Sequence, residues 1–147
     1  MHNKGMNKTV EFFRTQIDKT IEHSPSAVGI WLKPVLKEVN EGSLIAEFVV
    51  REEMTNPMKM LHGGIIALIC DEMIGASIAT LEMTNFFPSV NLHTDFLFGA
   101  KLGETITAKT EIIRKGKNII NTECRVYNSE NKLIAKSSSN SIKSTRK

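Results

Sequence analysis

The sequence predicts an α+β fold in which one long central helix is wrapped by a strongly curved antiparallel sheet, with an extra helix at the N-terminus. Three observations predict it. Residues 64–81, GIIALICDEMIGASIATL, are apolar on every side of a helical wheel, the pattern of a helix covered all round. Four segments rich in Ile, Val and Thr follow, at 89–98, 104–114, 118–127 and 132–143, and short turns between the later ones dictate antiparallel pairing. Near the N-terminus, Val10, Phe13, Ile17 and Ile21 recur at spacings of three and four, an amphipathic helix over 7–22.

Asn7 or Thr9 can cap that first helix, and HSPS ends it. Residues 28–39, VGIWLKPVLKEV, read as extended, with Pro34 favouring an edge or a bulge. NEGS turns the chain back into a second strand at 44–52, and Pro57 breaks the loop EMTNPMKM. The central helix comes next, then the loop MTNFFP at 83–88. RKGKN and NSENK supply hairpin turns between late strands. A single sheet cannot cover the whole circumference of the central helix, and a second copy of the chain is the simplest cover.

The 147 residues suit one domain with one core. The net charge of +3 is small, and part of it sits in the tail KSTRK, expected to be frayed and solvated. One Trp, one Tyr and no basic stripe argue against nucleic-acid binding. The most apolar run, 61–70, is too short to span a bilayer, and MHNKGMNKTVEFFRTQ has no apolar signal region. Cys70 and Cys124 lie in apolar or strand-like contexts without metal-ligand spacing, as reduced buried thiols would, which fits a cytoplasmic protein. His2, His23 and His93 have no partner spacing, and the Met residues around 54–60 suit packing or pocket lining.

The acids Asp71 and Glu72 interrupt the most apolar stretch. A charge buried there unpaired would cost several kcal/mol, so one of them reaches water or faces a site. Nine residues separate His62 from Asp71; on a helix that is a turn of about 900° and a rise of about 13 Å, which leaves them on opposite sides. Two antiparallel copies would set Asp71 of one against the His62–Gly63 turn of the other. HGG at a helix start also leaves N–H groups without internal partners at the positive end of the helix dipole, able to polarise a carbonyl oxygen. A nearby carboxylate could act as nucleophile or as base for water. These parts suit acyl transfer to water.

NPMKMLHGG followed by CDEMIGAS resembles the hotdog-fold acyl-CoA thioesterases, in particular their PaaI-like branch. The resemblance covers roughly residues 28–143 and includes PSVNLHTDFLFGAKLGE; the N-terminal helix lies outside the family's common core. It implies hydrolysis of an acyl-CoA without metal or redox cofactor, in a homodimer and a dimer of dimers. Asp71 would be nucleophile or general base, acting across the dimer interface, with Glu72 the competing acid. The Gly63 amide would polarise the thioester carbonyl, His62 would shape the turn, and Asn56 would position the water or the carboxylate. Ser89 would help orient water. Substrate contacts would come from Gly64, Glu72, Phe86 and Phe87, the last two closing an acyl pocket or capping the helix end. Arg114, Lys115, Gly116 and Lys117 match a turn near the CoA phosphates. The implied division is 1–27 N-terminal helix and linker, 28–143 thioesterase domain and 144–147 tail. A non-catalytic acyl-CoA-binding or regulatory domain, and a hydratase or dehydratase of the same fold, are the alternatives. The acyl group stays open.

Overall fold

The computed structural model describes residues 5–146. Its elements, in chain order, are α1 (Lys8–Thr15), α2 (Ala27–Trp31), β1 (Val35–Asn40), β2 (Ser43–Val49), α3 (Gly63–Ala79), β3 (His93–Phe96), β4 (Thr105–Lys115), β5 (Ile119–Tyr127) and β6 (Leu133–Ile142). The six strands form one sheet in the order β1-β2-β4-β5-β6-β3, all pairs antiparallel. Helix α3 packs on the face built mainly by β4 and β5. The predicted architecture, extra N-terminal helix included, is the one observed.

Burial alternates along the strands as one covered face requires: on β5, Ile120, Thr122, Cys124 and Val126 point to α3. On α3 the buried residues are Ile66, Ile69, Cys70, Met73, Ile74 and Ser77, one stripe at spacings of three and one. Within a single chain, then, the helix is covered on one face only. Gly64, Asp71, Gly75 and Ala79 are exposed on the other, and Ile65, Leu68 and Ile78 are half-buried. The all-round apolar pattern exceeds what one sheet covers.

Three segments depart from the sequence reading. Helix α1, capped by Asn7 through its bond from the Val10 N–H at 3.0 Å, ends at Thr15 rather than near residue 22. Asp18 adopts a left-handed φ of 65°. Beyond it the Asp18 and Ile21 N–H groups donate to Leu36 and Pro34 carbonyls, so the chain leaves the helix to satisfy the edge of β1. Second, 27–31 is a short helix, not a strand. Ser26 caps it by accepting from the Gly29 N–H at 3.2 Å, and β1 begins only after Pro34. Third, β3 is regular over four residues, shorter than 89–98. At its end the Leu97 and Phe98 N–H groups both donate to the Ile134 carbonyl, which interrupts the ladder. The tail is not frayed through Arg146: Ser144 donates to the Phe86 carbonyl, and Phe86 donates to that of Arg146. His2 and Lys147 lie outside the described residues.

The C-terminal end of α3 is anchored by buried Thr80. Its hydroxyl accepts from the Gly42 N–H at 2.8 Å and donates to the Ser77 carbonyl at 2.6 Å, while Asn7 donates to the Thr80 carbonyl at 2.7 Å. Gly42 turns β1 into β2 at φ 82°, a conformation that suits glycine. Thr80→Val keeps the shape and strands the Gly42 N–H. It is expected to lower unfolding free energy by about 1–3 kcal/mol in urea titration.

Cys70 and Cys124 are free, buried thiols. A hydrogen bond between them holds the Cys70 pKa below its ordinary value and, with burial, pushes that of Cys124 well up.

Candidate active site

His62 is the N-cap of α3. Its Nδ1 accepts from the Gly64 N–H at 2.8 Å, which places the ring proton on Nε2. The His62 carbonyl accepts from Ile65 at 3.0 Å and from Ile66 at 3.1 Å. Of the first four N–H groups of the helix, three are thereby satisfied. Among the described residues, the Gly63 N–H has no acceptor. It lies at the positive end of the helix dipole, where a carbonyl oxygen gaining charge is stabilised. A side chain at position 63 would press on Phe96, because a Cβ built there falls 3.2 Å from the ring.

Asn56 folds the preceding loop. Its Oδ1 accepts from Met58 at 2.9 Å and Met60 at 3.1 Å, and its N–H donates to the Met60 carbonyl at 2.8 Å. The side-chain oxygen is therefore engaged in the turn, and the NH2 is the group left to donate outward. His62 donates from its backbone to Met54 at 2.9 Å, so the loop returns to the start of α3. Asn56, His62, Gly63 and Gly64 thus form one donor-rich corner.

The two acids part company. Glu72 accepts from the Ser26 hydroxyl at 3.0 Å, and Gly29 is hemmed in by its second oxygen, 2.6 Å from a built Cβ. Its carboxylate ties α2 to α3. Asp71 is exposed, with no ion-pair or hydrogen-bond partner among the described residues. Glu72→Ala is expected to cost about 1–2 kcal/mol of stability by loosening α2, read as a lower urea midpoint at unchanged slope.

Asp71 lies eight residues beyond Gly63, or about 12 Å along the axis, and one chain does not bring them together. Ser89 follows α3 and bridges Ser141; its Oγ accepts from the Ser139 hydroxyl at 3.2 Å. Arg114, Lys115, Gly116 and Lys117 turn β4 into β5. That hairpin lies toward the C-terminal end of α3, since Ile112 donates to the carbonyl of Gly42, whose own N–H donates to the Thr80 hydroxyl. Helix α3 is 17 residues long, about 25 Å, so the hairpin stands at the far end from Gly63. Phe87 is buried and Phe86 exposed, the latter bonded to the tail through Ser144 and Arg146.

Sequence reasoning missed two groups. Ser139, which also donates to the Asn91 carbonyl at 2.8 Å, holds Ser89 in place; the alternating serines of KSSSNSI were the signal. His93 and Asp95 pair at 3.1 Å on the exposed face of β3, as the i, i+2 spacing on a strand allows. Among the described residues no three His, Cys, Asp or Glu side chains converge as metal ligands would, and no helix is long and apolar enough to cross a membrane.

A long helix cradled in a curved antiparallel sheet defines the hotdog class of fold. The family model of the thioesterase superfamily matches residues 58–135, and the chain belongs to that superfamily. Acyl-coenzyme A thioesterase 13 of Homo sapiens is 32% identical over 104 residues, 70% of this chain and 74% of that protein. The crystal structure of zebra fish thioesterase superfamily member 2 is similar at a TM-score of 0.78 and 24% identity, over 94% of this chain and 97% of that one. The E. coli PaaI protein from the phenylacetic acid degradation operon reaches 0.77 at 20% identity, over 83% and 87%.

Proposed function

We propose that the protein hydrolyses an acyl-CoA thioester to the free acid and CoA. The observation that carries this is the Gly63 N–H, the one donor of the first turn of α3 without an acceptor among the described residues. The 32% identity to a human acyl-coenzyme A thioesterase supports the choice of substrate.

The proposed site is shared between two chains. Among the described residues the outer edge of β3 has no neighbouring strand, and Phe96, Leu97 and Phe98 are more than half exposed. A two-fold pairing of these edges would cover them, together with the open face of α3 on which Gly64, Asp71, Gly75 and Ala79 lie. Asp71 of one chain then meets the Gly63 corner of the other. The thioester oxygen accepts from the Gly63 N–H, and the Asn56 NH2 orients the water or the acid. Asp71 either attacks the carbonyl carbon, giving an anhydride that water opens, or takes a proton from the water that attacks. In both routes OH joins the acyl group and the thiolate leaves with a proton. Ser89 holds the water, His62 keeps the turn, and Gly64 leaves room for the substrate backbone. Phe86 and Phe87 border the acyl group, and Glu72 supports the site through α2. In that antiparallel pairing the hairpin 114–117 of the chain that supplies Asp71 comes to the side of the other chain's Gly63 and faces the CoA phosphates there. The catalytic domain is 28–143, with 1–27 as an addition and 144–147 as a tail. The dimers pair into a dimer of dimers. The reduced thiols fit a cytoplasmic location.

The experiment is thiol release from a panel of acyl-CoAs spanning aryl-acetyl, hydroxybenzoyl and medium-chain groups. Turnover of at least one substrate is expected. Tight binding across the panel without release would make the protein an acyl-CoA binder instead.

A further inference from the structure

Ser89 is an exposed residue whose hydroxyl is held from the buried side. Ser139 on β6 is 1% exposed. Its one hydroxyl proton serves two acceptors, the Asn91 carbonyl at 2.8 Å and the Ser89 Oγ at 3.2 Å. Two other hydroxyls lie buried close by. Ser141 is the bridge partner of Ser89, and Thr122 stands opposite Ser139 on β5, yet neither hydroxyl has a partner among the described residues. Of the three, Ser139 alone holds the Ser89 side chain. The backbone of the same segment is fixed by other groups. Ile142 donates to the Pro88 carbonyl at 3.0 Å and Val90 to that of Asn140 at 2.9 Å, while the Asn140 N–H donates to the Asn91 Oδ1 at 2.8 Å. The segment therefore stays on β6 without the Ser139 hydroxyl, and what that hydroxyl settles is the rotamer of Ser89.

We propose that Ser139 is a positioning residue for the hydrolysis, acting through Ser89. The inference rests on the reading given above, in which Ser89 holds the water. A serine side chain chooses among staggered wells of similar energy, and at an exposed position packing does not make the choice. The bond from Ser139 makes it. That bond occupies one lone pair of Ser89 on the buried side. The Ser89 O–H and its second lone pair are left for the open side, where the water is held. A water held by a fixed hydroxyl keeps one orientation toward the thioester carbon, and fixed orientation of bound groups lowers the barrier between them. Ser139 is itself sealed in the core and touches neither substrate nor water. Its effect falls on kcat, because the groups that bind the substrate stand elsewhere. Losing the chosen well costs about threefold in rate, and losing the energy of the bond as well brings the total to about tenfold.

The test is a double-mutant cycle on the full-length protein, read by thiol release from the acyl-CoA that the parent turns over fastest. Ser139→Ala is expected to lower kcat about 3- to 10-fold with KM within about twofold of the parent. Ser89→Ala is expected to lower kcat at least as far. Joining the two should lower it no further than Ser89→Ala alone, because without a hydroxyl at position 89 Ser139 has nothing to orient. Ser141→Ala removes a neighbouring buried hydroxyl that has no partner and should leave kcat unchanged. A merely structural role for Ser139 gives a different pattern, in which its loss carries over undiminished into the Ser89→Ala background. Such additivity overturns the inference. So do full activity of Ser139→Ala, an equal loss in Ser141→Ala, and a Ser139→Ala that loses the parental circular dichroism, since the hydroxyl would then hold the fold. The levels separate cleanly. A parent that turns over no acyl-CoA overturns the proposed function and this inference with it. A fully active Ser89→Ala removes the roles of both serines and leaves the thioesterase standing. A deficient Ser89→Ala with additive losses overturns the role of Ser139 alone.

Discussion

Asp71→Asn is expected to lower kcat for thioester hydrolysis by about 100- to 10,000-fold, with a much smaller change in KM. Asn keeps the size and the exposure of the side chain and removes both its basicity and its nucleophilicity. No hydrogen bond or ion pair is lost within the chain, because Asp71 makes none among the described residues. Stability should therefore stay within about 0.5 kcal/mol of the parent, and thiol release is the readout. The shared site adds a sharper consequence. Gly63→Val, which crowds Phe96, should inactivate from the other side. Co-expressing the two inactive chains should restore about a quarter of parental activity, since half of the dimers are mixed and each mixed dimer holds one intact site. No recovery on mixing would place Asp71 and Gly63 of the same chain in one site, against the helix geometry.

Leu97→Asp combined with Phe98→Asp is expected to abolish the β3-edge pairing and hydrolysis together. Both side chains are more than half exposed in the single chain, 52% and 56%, so the substitutions leave the core alone. In a pairing across β3 each would bury a carboxylate without a partner, a cost of several kcal/mol. The variant should keep its helical and strand circular dichroism, lose mass in sedimentation, and release no thiol above background. An active protein with this edge disrupted would show that one chain holds the whole site.

Much of the molecule is legible from local signals. The order of one helix, two strands, a long helix and four strands follows from hydrophobic period and turn residues, with α2 the element that escapes. Five residues, Ala27–Trp31, carry too little periodicity to read. Their helix is held by Ser26 and by Glu72, 46 residues away, and only packing reveals such a bond. The ends of α1 and β3 escape for a related reason. Each stops where a neighbouring backbone, Leu36 in one case and Ile134 in the other, offers a better partner. At the site, HGG and the following Asp-Glu pair are visible as residues. The free Gly63 N–H depends on which acceptors the folded loop supplies.

The sequence alone determined the α+β class, the apolar helix interrupted by two acids, and the glycine pair at its start, because period, capping and glycine placement are properties of neighbouring residues. Only the tertiary structure decided which acid is free. It engages Glu72 with Ser26 and leaves Asp71 in the open. It also set the donor corner and the basic hairpin toward opposite ends of α3, because a helix of 17 residues holds its two ends apart.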